Sequence, residues 1–409
     1  MNPTNQTVVS IQNAIASYNM DCWVMFMDEG SDPYFKKYIT DKVISTSLCI
    51  ITAQDCYLIA NNLDFDNLDN YKNVKNIQYG STYGNKLEDA LKQVFSEISF
   101  PSNISLSYST LRDTLVDVLG HGSYEYLTKQ ISLIYEKEGK TVTFDSAEKL
   151  VYAITDRKSA DAITKMKLAA QRANEILDQA FANIKTGMTE KEIVNMVQGI
   201  FDKKPEYFKE HEIIKEEYSW HKEFCPVVLA GPSLMKGGHA TASNLPVEPG
   251  LTIYFDFGVK LHFKDGSYYS SDIQRMGYML KAEETAAPKE VQAIFDTLYD
   301  AISLGIENLI PGKKGYEIDT VVRGYIKDAG YIDYDHSTGH AIGEIAHNPG
   351  TLLGPSNRGL SSLDIQPNGV YTIEPRIPID NGGSIEEMVL ATPEGGIAIS
   401  PRQTSLYLI

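Results

Sequence analysis

The sequence predicts an α+β protein in two parts: a mixed α/β domain over residues 1–155, then a domain over 156–409 in which an antiparallel sheet is flanked by helices. Three observations carry this. The first part alternates short apolar runs of strand length with stretches of helical spacing. A long amphipathic stretch opens near Asp156. Beyond it, apolar strand segments recur between helices and are joined by turn signals.

In order, residues 6–19 read as a short amphipathic helix, WVMFM (23–27) as a buried strand, and 47–60 as two strands around a polar turn. Residues 84–98 and 108–120 carry helical spacing of Leu, Val and Ile. Asp28, Glu29, Asp32 and His121 are scattered through this part and form no catalytic constellation. Residues 156–184 form a long helix with Ile163, Met166, Ala170, Ala173, Leu177 and Phe181 on one stripe. The next helix, within 186–204, follows Gly187 as a C-cap and starts at Thr189, with Glu192 completing a capping box. Residues 203–223, charged and aromatic-rich, read as an exposed excursion. Further helices span 288–309, opening at Pro288, and 315–329, closing at Gly330. Strand-like segments lie at 225–230, 251–263, 268–280, 368–379 and 384–400.

Composition excludes several functions. Lys and Arg number 37 against 54 Asp and Glu, a formal net charge of −17. Nucleic acid and anionic membrane surfaces are both held mainly by clustered cations, so neither is an expected partner. Cys22, Cys49, Cys56 and Cys225 are dispersed and form no C-x-x-C pair. No signal peptide is recognisable at the N-terminus and no apolar run is of membrane-spanning length, so a cytoplasmic location is expected.

The chemistry collects in the second half. Asp256 sits in the apolar run LTIYFDFG and Asp272 in YYSSDIQRMGYM, and the two are joined through Asp265-Gly266, a hairpin signal. Residues sixteen apart share a face only across an odd-length connection, so one site for both acids requires a three-residue loop or a bulge, with Gly258 as the bulge candidate. His340 and His347 lie in STGHAIGEIAHNPG, Glu374 ends the strand VYTIEP, and Glu386 and Glu387 open the strand IEEMVLAT. Carboxylates converging in a low-dielectric pocket raise one another's pKa, and divalent cations relieve the conflict. Oxygen-rich ligation with one imidazole and no thiolate suits Mn, Fe, Co or Zn.

This order of segments resembles the methionine-aminopeptidase-like "pita-bread" metallopeptidases, most closely their Xaa-Pro aminopeptidase, Xaa-Pro dipeptidase (prolidase) and creatinase branch. The motifs are Asp256-Phe257-Gly258, Ser271-Asp272-Ile273-Gln274-Arg275, Thr338-Gly339-His340-Ala341-Ile342-Gly343, Thr372-Ile373-Glu374-Pro375 and Ile385-Glu386-Glu387-Met388-Val389-Leu390. The resemblance implies a creatinase-like N-terminal domain before a pita-bread domain. It implies two divalent metal ions, manganese first with Co, Zn or Fe as alternatives, on Asp256, Asp272, His340, Glu374 and Glu386. Glu386 takes that place over Glu387 because the family's ligand is the first acid of the pair.

The resemblance also implies catalytic roles for His239 and His347, as hydrogen-bond donors to substrate, and for Glu374 as proton shuttle. The implied reaction is hydrolysis of the peptide bond before proline, on a peptide with proline at its second position, by a homodimer. The other activities within reach of the resemblance are those of a pita-bread enzyme acting on a small non-peptide molecule, creatinase-like or lyase, or of a non-catalytic peptide-binding homologue. Four departures stand out: a longer spacing between Asp256 and Asp272, Asn348 after His347, Gln274 where threonine is usual, and Arg376 where glycine is usual. Arg376 would either meet a substrate carboxylate or salt-bridge to a neighbour.

Overall fold

The computed structural model describes residues 5–69, 73–80, 84–236 and 240–409. The chain divides into two units, Met1–Ile154 and Thr155–Ile409. In the first, β1 (Cys22–Met27), β2 (Ser47–Ile51), β3 (Cys56–Asn61), β4 (Lys75–Tyr79), β5 (Asn103–Leu106) and β6 (Thr143–Ser146) form one mixed sheet in the order β4-β3-β2-β1-β5-β6. Its helices are α1 (Asn5–Ser17), α2 (Pro33–Tyr38), α3 (Leu87–Glu97), α4 (His121–Lys137) and α5 (Glu148–Asp156). The strands are almost wholly buried in β1 and β2, as their unbroken apolar runs require. Asp32 caps α2 by accepting from the amides of Tyr34 and Phe35.

The helix expected over 108–120 is absent, and α4 begins where that stretch ends. Its side chains satisfy the backbone locally instead: Ser109 Oγ accepts from the amides of Leu111 and Asp113, and Asp113 from that of Leu115. Glu148 takes Ser109 Oγ and the amides of Thr110 and Leu111. Short polar side chains that offer the backbone such partners compete with helix, whatever the spacing of the leucines.

The second unit contains α6 (Ala160–Asn183), α7 (Glu190–Phe201), α8 (Tyr207–Glu210), α9 (Lys289–Asn308) and α10 (Gly315–Asp328). Its strands are β7 (Ile213–Tyr218), β8 (Val227–Ala230), β9 (Thr252–Phe257), β10 (Val259–Phe263), β11 (Tyr268–Ser270), β12 (Ile273–Tyr278), β13 (Val370–Ile373), β14 (Arg376–Ile377), β15 (Gly383–Ser384), β16 (Glu387–Thr392), β17 (Gly395–Ala398) and β18 (Tyr407–Leu408). They pair as β11-β10-β7, β18-β12-β9-β8, β13-β16-β17 and β14-β15, antiparallel throughout except β12 with β18. One core packs α6 and α7 on β8, β9 and β12 through Met166, Leu177, Val197, Val228, Phe255 and Ile273. A second packs α9 and α10 on β13 and β16 through Phe295, Leu298, Ile318, Tyr371 and Val389. Thr189 and Glu192 make the expected capping box, and Gly187 takes the left-handed conformation at φ 84°.

Residues 203–223 are not simply an exposed excursion. β7 pairs with β10, and Glu216 is buried in an ion pair with Arg172 at 2.7 Å. The charged sequence concealed a strand because its buried acid has a buried partner.

The hairpin between Asp256 and Asp272 closes through three residues, Lys264 to Gly266, with the amide of Phe263 donating to Ser267 O at 2.8 Å and Gly266 at φ 86°. The pairs Lys260↔Ser270 and Gln274↔Asp256 belong to one continuous register, so no bulge at Gly258 is needed. The irregularity lies elsewhere, between His262 and Phe263 where β10 meets β7. Gly258 serves close approach: a Cβ there would stand 2.1 Å from the carbonyl oxygen of Ser271.

Arg275 locks the strands that carry the acids. Fully buried, it donates from Nη1 to the carbonyls of Gln274 and Glu386, each at 2.9 Å, and from Nε to Asn174 Oδ1 at 3.1 Å. Its Nη2 lies 3.5 Å from the buried Glu387. Arg275→Leu is therefore expected to cost roughly 3–5 kcal/mol of unfolding free energy, because it strands a buried carboxylate. Urea denaturation measures this, and a loss below about 1 kcal/mol would be that of a surface pair instead.

Candidate metal centre

Cross-strand register brings the acids together. On β9 and β12, Asp256 faces Gln274. The backbone of Gln274 bridges on its other side to Glu386, whose amide donates to Gln274 O at 3.2 Å. Ile373 faces Glu387, so the next step of the same register sets Glu374 against Glu386. Glu374 in turn donates its amide to Thr338 O at 2.7 Å. Asp256, Gln274, Glu386, Glu374 and Thr338 thus form one row across five chain segments. Two residues along, on the same face, come Asp272 and His340. The row curves enough that His340 Nε2 lies 3.7 Å from both Asp272 Oδ2 and Glu374 Oε1.

Small details hold this geometry. Gly339 precedes His340 because a Cβ there would stand 1.9 Å from Thr372 O. Thr372 donates its amide to His340 O at 2.9 Å and accepts the His340 amide on Oγ1 at 3.1 Å. Thr338 Oγ1 donates to Asp319, which Arg323 holds through Nε and Nη2 at 3.0 and 2.8 Å. β13 ends at Ile373, with Glu374 and then Pro375 following it.

Asp272, His340 and Glu386 each offer one ligand atom, and these atoms lie within 4.8 Å of one another. The Asp272 carboxyl is also within hydrogen-bonding reach of Asp256 and Glu386, both carboxyls themselves. Burial, reinforced by mutual repulsion, pushes Asp272 and Glu386 well above the usual carboxylate range. Burial raises Asp256 to about 7, against the hydrogen bond from Tyr254. Burial and then the Asp256 charge raise Glu374 to about 8. His340 is pushed the other way, to about 3, by burial and by His347.

These residues fit divalent metal. The Nδ1 of His340 donates to Ala341 O at 3.1 Å, which leaves the Nε2 lone pair facing two carboxyl oxygens. Neither oxygen of Glu386 has a donor, though both are buried. Lone pairs that face lone pairs in a buried site require protons or a cation between them.

Of the remaining residues singled out from sequence, His347 is exposed, with its ring 4.4 Å from that of His340 between centroids. His239 lies outside the described residues. Glu387 points away from the acids, to Arg275, Ser400 Oγ and the Gln403 amide. Among the described residues Arg376 makes no salt bridge: its Nη2 donates to the carbonyls of Leu234 and Lys236, the latter at 2.7 Å. Asn348 donates to Pro349 O at 3.0 Å.

Tyr254 was not singled out from sequence, yet its hydroxyl donates to Asp256 Oδ2 at 3.1 Å. Its position two residues before Asp256, on the same strand face, is the signal that would have found it.

Residues 164–393, more than half of the chain, match the sequence profile of metallopeptidase family M24. The chain belongs to this family, the pita-bread metallopeptidases. YkvY of Bacillus subtilis (strain 168) is 30% identical over 271 residues, 65% of this chain and 66% of the relative. The uncharacterized peptidase YqhT of the same organism is 27% identical over 256 residues, 62% of this chain and 64% of the relative. The matched stretches thus span just under two thirds of these relatives' own lengths.

The fold extends further than the sequence match. An Xaa-Pro dipeptidase from Bacillus anthracis superposes with a TM-score of 0.64 at 20% identity, covering 99% of both chains. An X-Pro aminopeptidase from Thermotoga maritima MSB8 does so at 0.62 and 20%, covering 97% of this chain and 100% of its own. Both establish the two-part α+β fold. Among the described residues, no helix is long and apolar enough to cross a membrane.

The raised acids have a pH signature. In the unfolded chain Asp256 and Glu374 titrate near 3.8 and 4.5, and in the metal-free fold near 7 and 8. A pKa raised by folding contributes stability that is complete below the unfolded value and is lost as pH rises through the folded one. The melting temperature of chelator-treated protein should therefore fall from about pH 5 to about pH 8, and added Mn²⁺ should raise it more at the upper end. A metal effect of equal size at both ends would show that protons and cations do not compete here.

Proposed function

We propose that this protein is a dinuclear-metal hydrolase that cleaves the peptide bond before proline, as an Xaa-Pro dipeptidase or Xaa-Pro aminopeptidase. The observation that carries the reading is the meeting of four carboxyls and one imidazole lone pair in one buried site of an M24 chain. The likeness in fold to proteins named Xaa-Pro dipeptidase and X-Pro aminopeptidase supports the substrate class.

Asp256, Asp272, His340, Glu374 and Glu386 would hold two divalent ions, with manganese the first to test and Co, Zn or Fe after it. When bound, the ions would activate water and polarise the scissile carbonyl. Glu374 takes a proton on Oε1, the oxygen turned towards His340, and returns it to the leaving nitrogen; its other oxygen is held by Gln274 Nε2 at 2.9 Å. His340 keeps its proton on Nδ1, fixed by Ala341 O, so Nε2 remains a ligand atom. His347, exposed beside His340, donates to the substrate carbonyl as charge develops there. His239 carries the same role on sequence grounds. The protein acts as a cytoplasmic homodimer in this reading.

Two measurements test the proposal. Protein purified without chelator should carry up to two divalent ions per chain, and Asp272→Ala should lose them. With Mn²⁺ supplied, a panel of Xaa-Pro dipeptides and longer Xaa-Pro peptides should be cleaved before proline, and Glu374→Gln should lower kcat by roughly 10²–10⁴-fold. Release from dipeptides alone marks a dipeptidase, and release from longer peptides an aminopeptidase. A metal-loaded protein silent across the panel would overturn the proline assignment.

A further inference from the structure

Gln274 stands where the family resemblance leads one to expect threonine, and its side chain is buried among the acids. Its Nε2 donates to Glu374 Oε2 at 2.9 Å and reaches Asp256 Oδ2 at 3.5 Å. Its Oε1 accepts from Ser384 Oγ at 2.6 Å, which orients the amide with its hydrogens towards the carboxylates. A threonine hydroxyl is too short to span this distance. Asp256 Oδ2 has a second donor in Tyr254 Oη.

The consequence is two classes of ligand. Asp256 and Glu374 each have one oxygen tethered by the protein, whereas both oxygens of Glu386 lack donors and Asp272 has other carboxyls for neighbours. The two donor-less oxygens of Glu386 and the His340 Nε2 lone pair belong to the tight group of Asp272, His340 and Glu386. Desolvation favours a cation first where lone pairs are unsatisfied. Asp256 lies outside that group and must be aimed by its hydrogen bonds.

We propose that Gln274 is a positioning residue that ties Asp256 to Glu374 and so holds Asp256 ready for a second divalent cation, taken up after the first has filled the Asp272–His340–Glu386 group. This rests on the metal-centre reading above. Hydrogen bonds to ligating groups orient them, and their loss typically costs about 10–100-fold in metal affinity. Here the loss is confined to one of two steps.

The test is calorimetric titration of the chelator-stripped full-length protein with Mn²⁺, alongside its electron paramagnetic resonance spectrum. The wild type should bind two ions in a tight and then a weaker step, with a spin-coupled signal at two equivalents. Gln274→Met keeps the length of the side chain and removes its donor. It should weaken the second step by roughly 10–100-fold, leave the first within about threefold, and replace the coupled signal with that of isolated Mn²⁺. Tyr254→Phe, which removes the other donor to Asp256, should act in the same direction and stands in if the first variant does not fold. A merely structural role would move both steps together, and that result, or an unchanged second step in both variants, overturns the proposal. A wild type that binds no Mn²⁺ at all is a distinguishable outcome: it overturns the metal-centre reading and this inference with it.

Discussion

Four carboxyls share one buried site, and the second unit of this protein is organised around that constraint. A single buried carboxylate costs several kcal/mol unless it is paired, and like charges in contact raise the cost further. The fold does not dilute the conflict. It concentrates it, by register: Asp256, Glu386 and Glu374 fall on one cross-strand row, and Asp272 and His340 on the next. Because residues two apart share a face, a one-residue slip in any pairing would turn an acid away from the others and into an apolar core. The supporting devices are therefore devices of register: Arg275 on two carbonyls, Gly339 and Gly258 where backbones touch, and a three-residue turn of the right parity.

The adjacent pair Glu386 and Glu387 shows how sharply strand alternation separates roles. Successive side chains point to opposite faces. Glu386 therefore enters the acidic site, while Glu387 faces Arg275, Ser400 and Gln403 behind it. Both are buried. One has no donor on either oxygen, and the other has a guanidinium, a hydroxyl and an amide. Identical chemistry in neighbouring positions thus serves the site in one case and the scaffold in the other.

Much of this was legible in the sequence, for physical reasons. Long amphipathic helices such as α6 and α9 announce themselves by period, and caps such as Thr189 with Glu192 by residue type. Acids inside apolar strands are legible because nothing bland explains them. Illegible features were those in which a distant partner changes what a residue means. Residues 108–120 have helical spacing, but Ser109, Asp113 and the remote Glu148 satisfy the backbone otherwise. Residues 203–223 look solvated, but Arg172 makes Glu216 a core residue and β7 a strand. Arg376 offered two functions on paper, and its guanidinium went to two backbone carbonyls. Gln274 was visible as a departure from pattern, but its bridge between two acids depends on strands a hundred residues apart.

The strongest internal argument for cation binding is the treatment of the chain's other buried acids. Asp64 accepts from the amides of Ile44 and Ser45, Glu190 from those of Ala230 and Ser243, and Glu148 from Ser109 and Thr110. Asp156 has Lys158 and the Tyr371 hydroxyl, Glu216 has Arg172, Asp319 has Arg323, and Glu387 has Arg275. Each was brought out of water with a donor or a cation supplied. Asp272 and Glu386, equally buried, meet carboxyls and an imidazole lone pair. A fold that satisfies its buried acids elsewhere with such consistency, and that spends Arg275 on the backbone directly behind these two, leaves their charge to be balanced from outside the chain. Divalent cations are the partners whose charge and preference for oxygen and imidazole ligands match what has been left open.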